Sequence, residues 1–434
     1  MIIQNFQQLA TSTLRKQALT VAEAGLLAIN TKNAVARNFK FDPQSQKLKV
    51  MGEEFNLSDF ERVVLVGFGK AALEAVSQVQ TILAGHVACG YVIDLKEGSL
   101  GNIICRVGTH PLPTKVNIEA TKELMAMLEA CTQKDLVICV VSGGGSALLC
   151  RPHDMACETE SAITSALTVK GASIQELNTV RKHISSVKGG HLAKIIYPAA
   201  CVSLIFSDVP GDDISIVASG PTVKDNTTNA DAAKILSKYQ ILEMRQMPSC
   251  RLLETPKDEK YFAKVRNFLI VSGKTALAAM KERAEEFGFD IKIFSDHFEG
   301  EAKVLAADII KSSQKRTCLL GAGESTVKIV GNGKGGRNQE MALAALLSIM
   351  PNQVLICVAS DGHDNSDAAG AIIDESTFTR AKALGLEPKK YLDNNDSFTF
   401  FEATGDQLIT GNTGANVSDF FVGLAQAHEH SSHF

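Results

Sequence analysis

The ten cysteines form no C-x-x-C pair, and the nearest two, Cys150 and Cys157, are too far apart for the usual zinc-ligand spacing. Several lie inside apolar runs: Cys139 in LVICVV, Cys318 in TCLL and Cys357 in VLICVAS. There they read as small buried hydrophobes of a reducing compartment. Strong charge of either sign is also missing. Lys and Arg number 44 against 48 Asp and Glu, a net charge of −4, which leaves no nucleic-acid footprint. No uninterrupted apolar segment is long enough to span a bilayer. The opening MIIQNFQQLATSTLRKQ lacks the basic and apolar regions of a secretory signal. These absences predict a cytoplasmic protein that has neither a membrane nor a nucleic acid as partner.

What is present is ample core material. With 434 residues, 45% hydrophobic and 21% charged, the chain suits a soluble protein of two domains. One pattern recurs: a β-branched run ends in Gly, Ser or Asp, and a helical stretch follows. It appears at 63–70, 90–98, 136–146, 202–213, 267–277, 317–326 and 354–364. Continuous apolar strands suit sheets covered on both faces. Strand–loop–helix repetition predicts an α/β fold with mainly parallel sheets, Rossmann-like in the first domain. Ligands bind such sheets beyond the carboxyl ends of the strands. A polar, proline-bearing stretch within 222–266 divides the chain into domains of 1–250 and 251–434. The tail AHEHSSHF is polar and His-rich, as a frayed end would be.

The loops between these elements carry the chemistry. In VVSGGGSALL, Ser142 and Gly143, Gly144 and Gly145 offer bare backbone, and Ser146 is placed to cap a helix. That stretch is either a cradle for phosphate or carboxylate or a tight turn without a ligand. It lacks the Walker lysine. The lookalike Ser272-Gly273-Lys274-Thr275 has Phe268 where glycine is required, which rejects a P-loop NTPase. Gly67-x-Gly69-x-x-Ala72 follows a strand, and Asp94 ends the next one, a relaxed dinucleotide fingerprint. Lys70 in that turn is equally suited to a transferring phosphoryl group.

LNTVRKHISSVKGG carries Arg181 and Lys182 on a basic helix, either a substrate clamp or a solvated face. Asp208 directly follows a strand and is a better functional candidate than Asp212 or Asp213, which suit water-mediated Mg²⁺ binding and a turn equally. Glu324 and Ser325 follow another strand. Four glycines among Gly331 to Gly336 then lead to Arg337 and Asn338, in a helix turn that attracts anions. This density favours a ligand-binding role over a purely structural one. Asp361, Asp364 and Asp367 occupy a further loop that fails the calcium-loop spacing.

Taken in order, GKAA, HPLP, SGGGSALL, LNTVRKHIS with KGG, SDVPGDD with ASGPT, GEST, GGRNQE and SDG…DAAGA resemble the glycerate 2-kinase family. Its members were often labelled hydroxypyruvate reductases, and its C-terminal domain is of the MOFRL type. The resemblance runs from about Gly67 to Asn416. It implies two α/β domains, the second smaller, with the active site in the cleft between them. It implies ATP with Mg²⁺ phosphorylating the 2-hydroxyl of D-glycerate, and it leaves room for a homo-oligomer. The family's lysine falls on Lys70 and its arginine on Arg337 as catalytic residues.

On this reading Gly67, Gly69, Ser142, Gly143, Gly144, Gly145, Ser146, Arg181, Glu324, Ser325 and Asn338 bind phosphate or substrate. Asp208 and Asp361 are the metal candidates. The chain departs from the family at Phe68, at His191 after KGG, and in an acidic loop at 361–367 that is one residue shorter. Two alternatives stay open: an NAD(P)H-dependent reductase built on the Gly67 turn, and a non-catalytic phosphate-ester-binding module.

Overall fold

A computed structural model describes the chain except residues 242, 244–250, 314–315, 416 and 427–434. The His-rich tail lies outside the described residues. Two compact units emerge: a central one, Ala34–Ile270, and a terminal one made of Met1–Asn33 with Val271–Phe434.

The central unit opens with a small antiparallel sheet, β1 (Phe39–Asp42), β2 (Lys47–Val50) and β3 (Glu53–Asn56). Its main sheet holds β4 (Arg62–Phe68), β5 (Val87–Asp94), β6 (Ile103–Val107), β7 (Asp135–Val141), β8 (Ala200–Phe206) and β9 (Val265–Val271). The order is β6-β5-β4-β7-β8-β9, with β5–β6, β4–β5, β4–β7 and β7–β8 parallel. Counted from β4, this is the doubly wound 3-2-1-4-5-6 arrangement. Every residue of β7 is buried, as is all of β4 after Arg62. Helices cover both faces, so the strands read as unbroken apolar runs. Val64, Val66, Phe68, Val137, Cys139 and Leu148 share one core. Phe68, the departure noted above, is fully buried there. Winding reverses between β4 and β7, so the loops after these strands flank the crevice where doubly wound sheets bind ligands.

The terminal unit's sheet holds β10 (Asp290–Glu301), β11 (Thr317–Thr326), β12 (Gln353–Val358), β13 (Gly370–Asp374), β14 (Gln407–Leu408) and β15 (Asp419–Ala425), in the order β10-β11-β15-β12-β13-β14. Only β10–β11 is parallel; β11–β15, β12–β15, β12–β13 and β13–β14 are antiparallel. The α/β class therefore holds for both units, with one sheet parallel and the other mixed. Two features cause the mixing. The last strand inserts between β11 and β12, and the loop from β12 to β13 contains no crossover helix.

The division at residue 250 is corrected by the N-terminal helix Thr13–Ile29, capped by Ser12, which belongs with the terminal unit. Its apolar stripe includes Ala18, Leu19, Ala22 and Leu26, all fully buried. A Cβ on Gly25 would stand 2.8 Å from Met280 Cγ on the Gly273–Glu286 helix. Arg15, 1% exposed, reaches Asp406 at 2.6 Å and Asp374 at 3.4 Å. At the other boundary, β9 completes the central sheet and carries that unit's edge to Ile270.

Arg15→Ala leaves two carboxylates short of their buried cation. Arg380 still pairs with Asp406, so the loss is expected at the low end of the range for a broken buried pair, about 3 kcal/mol. Urea denaturation of the full chain measures it; a change below about 1 kcal/mol contradicts this role for the helix.

Candidate functional site

The ends of β4 and β7 meet without a gap. Gly69 has φ +120°, and a Cβ there would lie 2.1 Å from Ser142 Oγ and 2.5 Å from its carbonyl oxygen. Only glycine permits this approach. The Lys70 N–H donates to Gly143 O at 2.9 Å, and the Ala71 N–H donates to Ser142 Oγ at 3.2 Å. Gly144 has φ +78°; a Cβ there would press on Lys70 Cγ at 3.0 Å and His110 Cδ2 at 3.2 Å. A Cβ on Gly145 would press on Ala218 more closely still, at 2.7 Å. Gly67 instead faces Val76 on the Ala72–Ile82 helix, so it serves helix–strand packing.

These loops leave donors unused. The Gly145 N–H is bonded to Ser142 O, but those of Gly143, Gly144 and Ser146 have no acceptor among the described residues. The half-buried Lys70 forms no ion pair or side-chain hydrogen bond with any described residue. Burial, aided by the Lys70 charge, holds His110 below the usual imidazole range. Ser146 Oγ lies 3.1 Å from Ser219 Oγ, which donates to Asn178 Oδ1 at 2.8 Å.

Ser219 stands in a left-handed run with Ala218 and Gly220, at φ of 49° to 61°. That conformation costs about 1–2 kcal/mol for each non-glycine residue. The N–H groups of Gly189 and Gly190 donate to the carbonyls of Ser219 and Gly220, each at 2.9 Å, and help hold the run in place. KGG and ASGP thus interlock beside the glycine loop.

Arg181 follows Asn178 by one helical turn on the Ile174–His183 helix and so shares its face. It is partly buried and has no partner among the described residues. Burial pulls its pKa down, and the nearby Glu160 charge only partly opposes this. An unpaired guanidinium in such surroundings favours an incoming anion. Its neighbour Lys182 is already committed to Asp225, at 3.0 Å with both side chains enclosed.

Asp94 settles what the dinucleotide fingerprint means. Its Oδ2 accepts the Leu73 N–H at 2.8 Å, and its Oδ1 accepts those of Leu95 and Lys96 at 2.6 and 3.2 Å. At 1% exposure it caps the turn and is closed to a ribose hydroxyl. Asp208 lies partly buried just beyond β8. Asp213 accepts the Ser215 N–H at 2.9 Å and forms a turn.

The terminal unit is built differently. Arg337 Nε donates to Asp419 Oδ2 at 2.5 Å, Nη2 reaches Oδ1 at 3.3 Å, and Nη1 pairs with Glu324. The anion expected at the start of the Arg337–Leu346 helix is the chain's own. Asp364 accepts the Asn338 and Gln339 N–H groups at 3.0 and 2.7 Å. Asn338 Nδ2 bridges Asp364 and Asp419 at 3.2 and 2.9 Å, a structural task in place of the expected ligand contact. Burial pushes Asp419 up to about 6, with Asp364 adding to the shift against the pull of Arg337 and Asn338. Burial likewise raises Asp364.

The four glycines before Arg337 have a structural explanation after all. Cβ atoms on Gly331, Gly333, Gly335 and Gly336 would come within 2.2–2.3 Å of Asn394, Asp396, Ser397 and Asp364. The loop's N–H groups at Val330, Gly331, Asn332 and Lys334 are bonded to side chains of Asn395, Asn394 and Asp396. Beside this loop lies a cavity of about 570 Å³, lined in part by Ser325, Arg337, Asp361 and His363. Asp361 Oδ1 accepts the His363 N–H at 2.9 Å. Among the described residues no three metal-ligating side chains converge. Magnesium held with phosphates commonly uses one or two carboxylates, so the Asp361 carboxylate suits that mode.

The family described as "Domain of unknown function (DUF4147)" matches residues 17–253, and the MOFRL family matches 317–419. The chain is 37% identical to the D-glycerate 2-kinase of Thermotoga maritima over 383 residues, 84% of this chain and 91% of the relative. It is 35% identical to the glycerate 2-kinase of Pyrococcus horikoshii over 440 residues, 95% and 97% of the two chains. Its structure is similar to the crystal structure of a glycerate kinase from Thermotoga maritima, with a TM-score of 0.84 and 34% identity, covering 94% of this chain and 99% of that one.

Asp419 gives a pH signature. Its native carboxyl keeps a proton up to about pH 6, whereas the unfolded value is near the ordinary 3.8. The folded state binds more protons across that window, so this group's contribution to stability falls as pH rises through it. Asp419→Asn is expected to flatten the slope, leaving the share that belongs to Asp364. Urea midpoints at several pH values for both proteins measure this; parallel profiles would contradict the assignment.

Proposed function

This chain belongs to the glycerate 2-kinase family, and on that premise we propose that it transfers the γ-phosphoryl group of ATP to the 2-hydroxyl of D-glycerate. The products are 2-phosphoglycerate and ADP. The observation that carries this reading is Lys70, unpaired among the described residues, beside the N–H donors of Gly143, Gly144 and Ser146, which find no acceptor there either. The 2-hydroxyl oxygen attacks phosphorus in line as the bond to the β-phosphate oxygen breaks, and the hydroxyl proton is released. Such transfer is mainly positioning and charge neutralisation.

Lys70 and the glycine loop supply donors to anionic oxygens, and Arg181 supplies a desolvated cation for the same class of group. Arg337 neutralises charge once the exposed Glu324 gives up its place. Mg²⁺ supplies further screening of phosphate oxygens. Asp361, whose second carboxylate oxygen accepts no hydrogen bond among the described residues, is of the type that holds it, with Asp208 as the central unit's candidate. No helix among the described residues is long and apolar enough to cross a membrane, in keeping with a cytoplasmic enzyme of a small acid. The enclosed Asp94 removes the ribose partner a reductase would need.

ADP release with D-glycerate, run beside NADH oxidation with hydroxypyruvate, tests the reaction; activity confined to the second assay reverses the reading. Lys70→Ala and Arg337→Ala are each expected to lower kcat/KM by about 10²–10³-fold, or about 2.7–4 kcal/mol. Near-normal turnover in either variant removes that residue from the machinery.

A further inference from the structure

The charge carried by the terminal unit's cavity points away from the hydroxy acid. Asp361, Asp364 and Glu340 line it. The one guanidinium in its wall, Arg337, is anchored by Asp419 and has only its Glu324 edge to offer. A small bare anion gains little there, since carboxylates outnumber the available cation. At about 570 Å³ the space is in the range of pockets for drug-sized ligands, far larger than a three-carbon acid needs.

Two further observations describe what it does take. Ser325 lines the cavity at 2% exposure, and its buried Oγ has no hydrogen-bond partner among the described residues. Buried hydroxyls are nearly always paired, so this one awaits a polar group from a ligand. Ile329, also in the lining, is 80% exposed and has an apolar surface left uncovered. The partly buried Val327 adjoins it. Together these make an apolar wall and a waiting hydroxyl in a cavity lined by carboxylate acceptors. That combination suits a flat, uncharged ring bearing a sugar whose hydroxyls donate hydrogen bonds.

We propose that this cavity is the nucleoside pocket of the enzyme, taking the base and ribose of ATP, while the anionic hydroxy acid binds elsewhere. The identity of the nucleotide rests on the kinase reading above; the placement rests on the cavity itself. Thr326→Trp tests it, because Thr326 is an exposed residue of the lining whose replacement fills space without entering the core. Ile329→Asp tests the apolar wall at another exposed position. Thermal melting checks that both variants fold.

Each variant is expected to raise KM for ATP at least about tenfold and to leave KM for D-glycerate within about twofold. Adenosine, uncharged, is expected to bind the wild-type full chain in ligand-observed NMR, and to bind Thr326→Trp at least about tenfold more weakly. An equal or greater rise in KM for the acid, unchanged constants for both substrates, or no adenosine binding to the wild type overturns the proposal. A wild type that forms no ADP from D-glycerate overturns the kinase reading alone, since adenosine binding is read without turnover.

Discussion

The contact between Gly69 and Ser142 governs the central unit's site. Two parallel strand ends are drawn together until no side chain fits between them, and Lys70 is bonded through its own N–H to the neighbouring glycine loop. Tying the backbone this way frees the lysine's side chain from any structural duty. It also turns the N–H groups of Gly143 and Gly144 away from helix or strand partners. The interlocked turns at 189–190 and 218–220 brace the other side of the loop. Left-handed conformations at Ala218 and Ser219 persist only because so many contacts determine them.

The two units handle charge in opposite ways. In the central unit Lys70 and Arg181 have no counter-ion among the described residues, while the neighbouring Lys182 and Lys188 are locked to buried carboxylates. Pairing some cations and sparing others separates those that hold the framework from those open to an anion. In the terminal unit the arginine is paired, the helix end is capped from within, and the adjoining cavity is rich in acceptors. A positively charged loop and an acceptor-rich cavity suit different substrates.

Much of this was legible in the sequence. Strands buried on both faces leave continuous apolar runs, and most of the loops that follow them were legible from those runs; β11 departs, running on through Glu324 and Ser325, which were expected beyond its end, to Thr326. Strand direction in the terminal sheet was not legible, because a buried strand has the same composition whichever way it points. Nor did the apolar stripe of Thr13–Ile29 name its partner. The glycines at 331–336 misled for a physical reason: a missing Cβ admits another part of the chain as readily as a ligand, and here it admits Asn394–Ser397. Asp419 went unnoticed because its link to Arg337 spans 82 positions and leaves no local signature. Arg181 and Lys182 looked alike in sequence, and only Asp225, 43 positions beyond Lys182, tells them apart.

The pairing of Arg337 bears directly on the part in phosphoryl transfer proposed for it. Its two carboxylate partners are not equivalent. Asp419 is 4% exposed in its side chain and is held by Asn338 as well, whereas Glu324 is 49% exposed. An ion pair with an exposed partner contributes about 0–1 kcal/mol, so exchanging Glu324 for a phosphate or carboxylate oxygen costs little. Breaking the Asp419 contact would leave a carboxylate stranded in the interior, at several times that cost. The guanidinium is therefore anchored along one edge and exchangeable along the other. With its orientation fixed by Asp419, it presents the Nη1 edge to an incoming anion without first being ordered by it, which is how positioning lowers a transfer barrier.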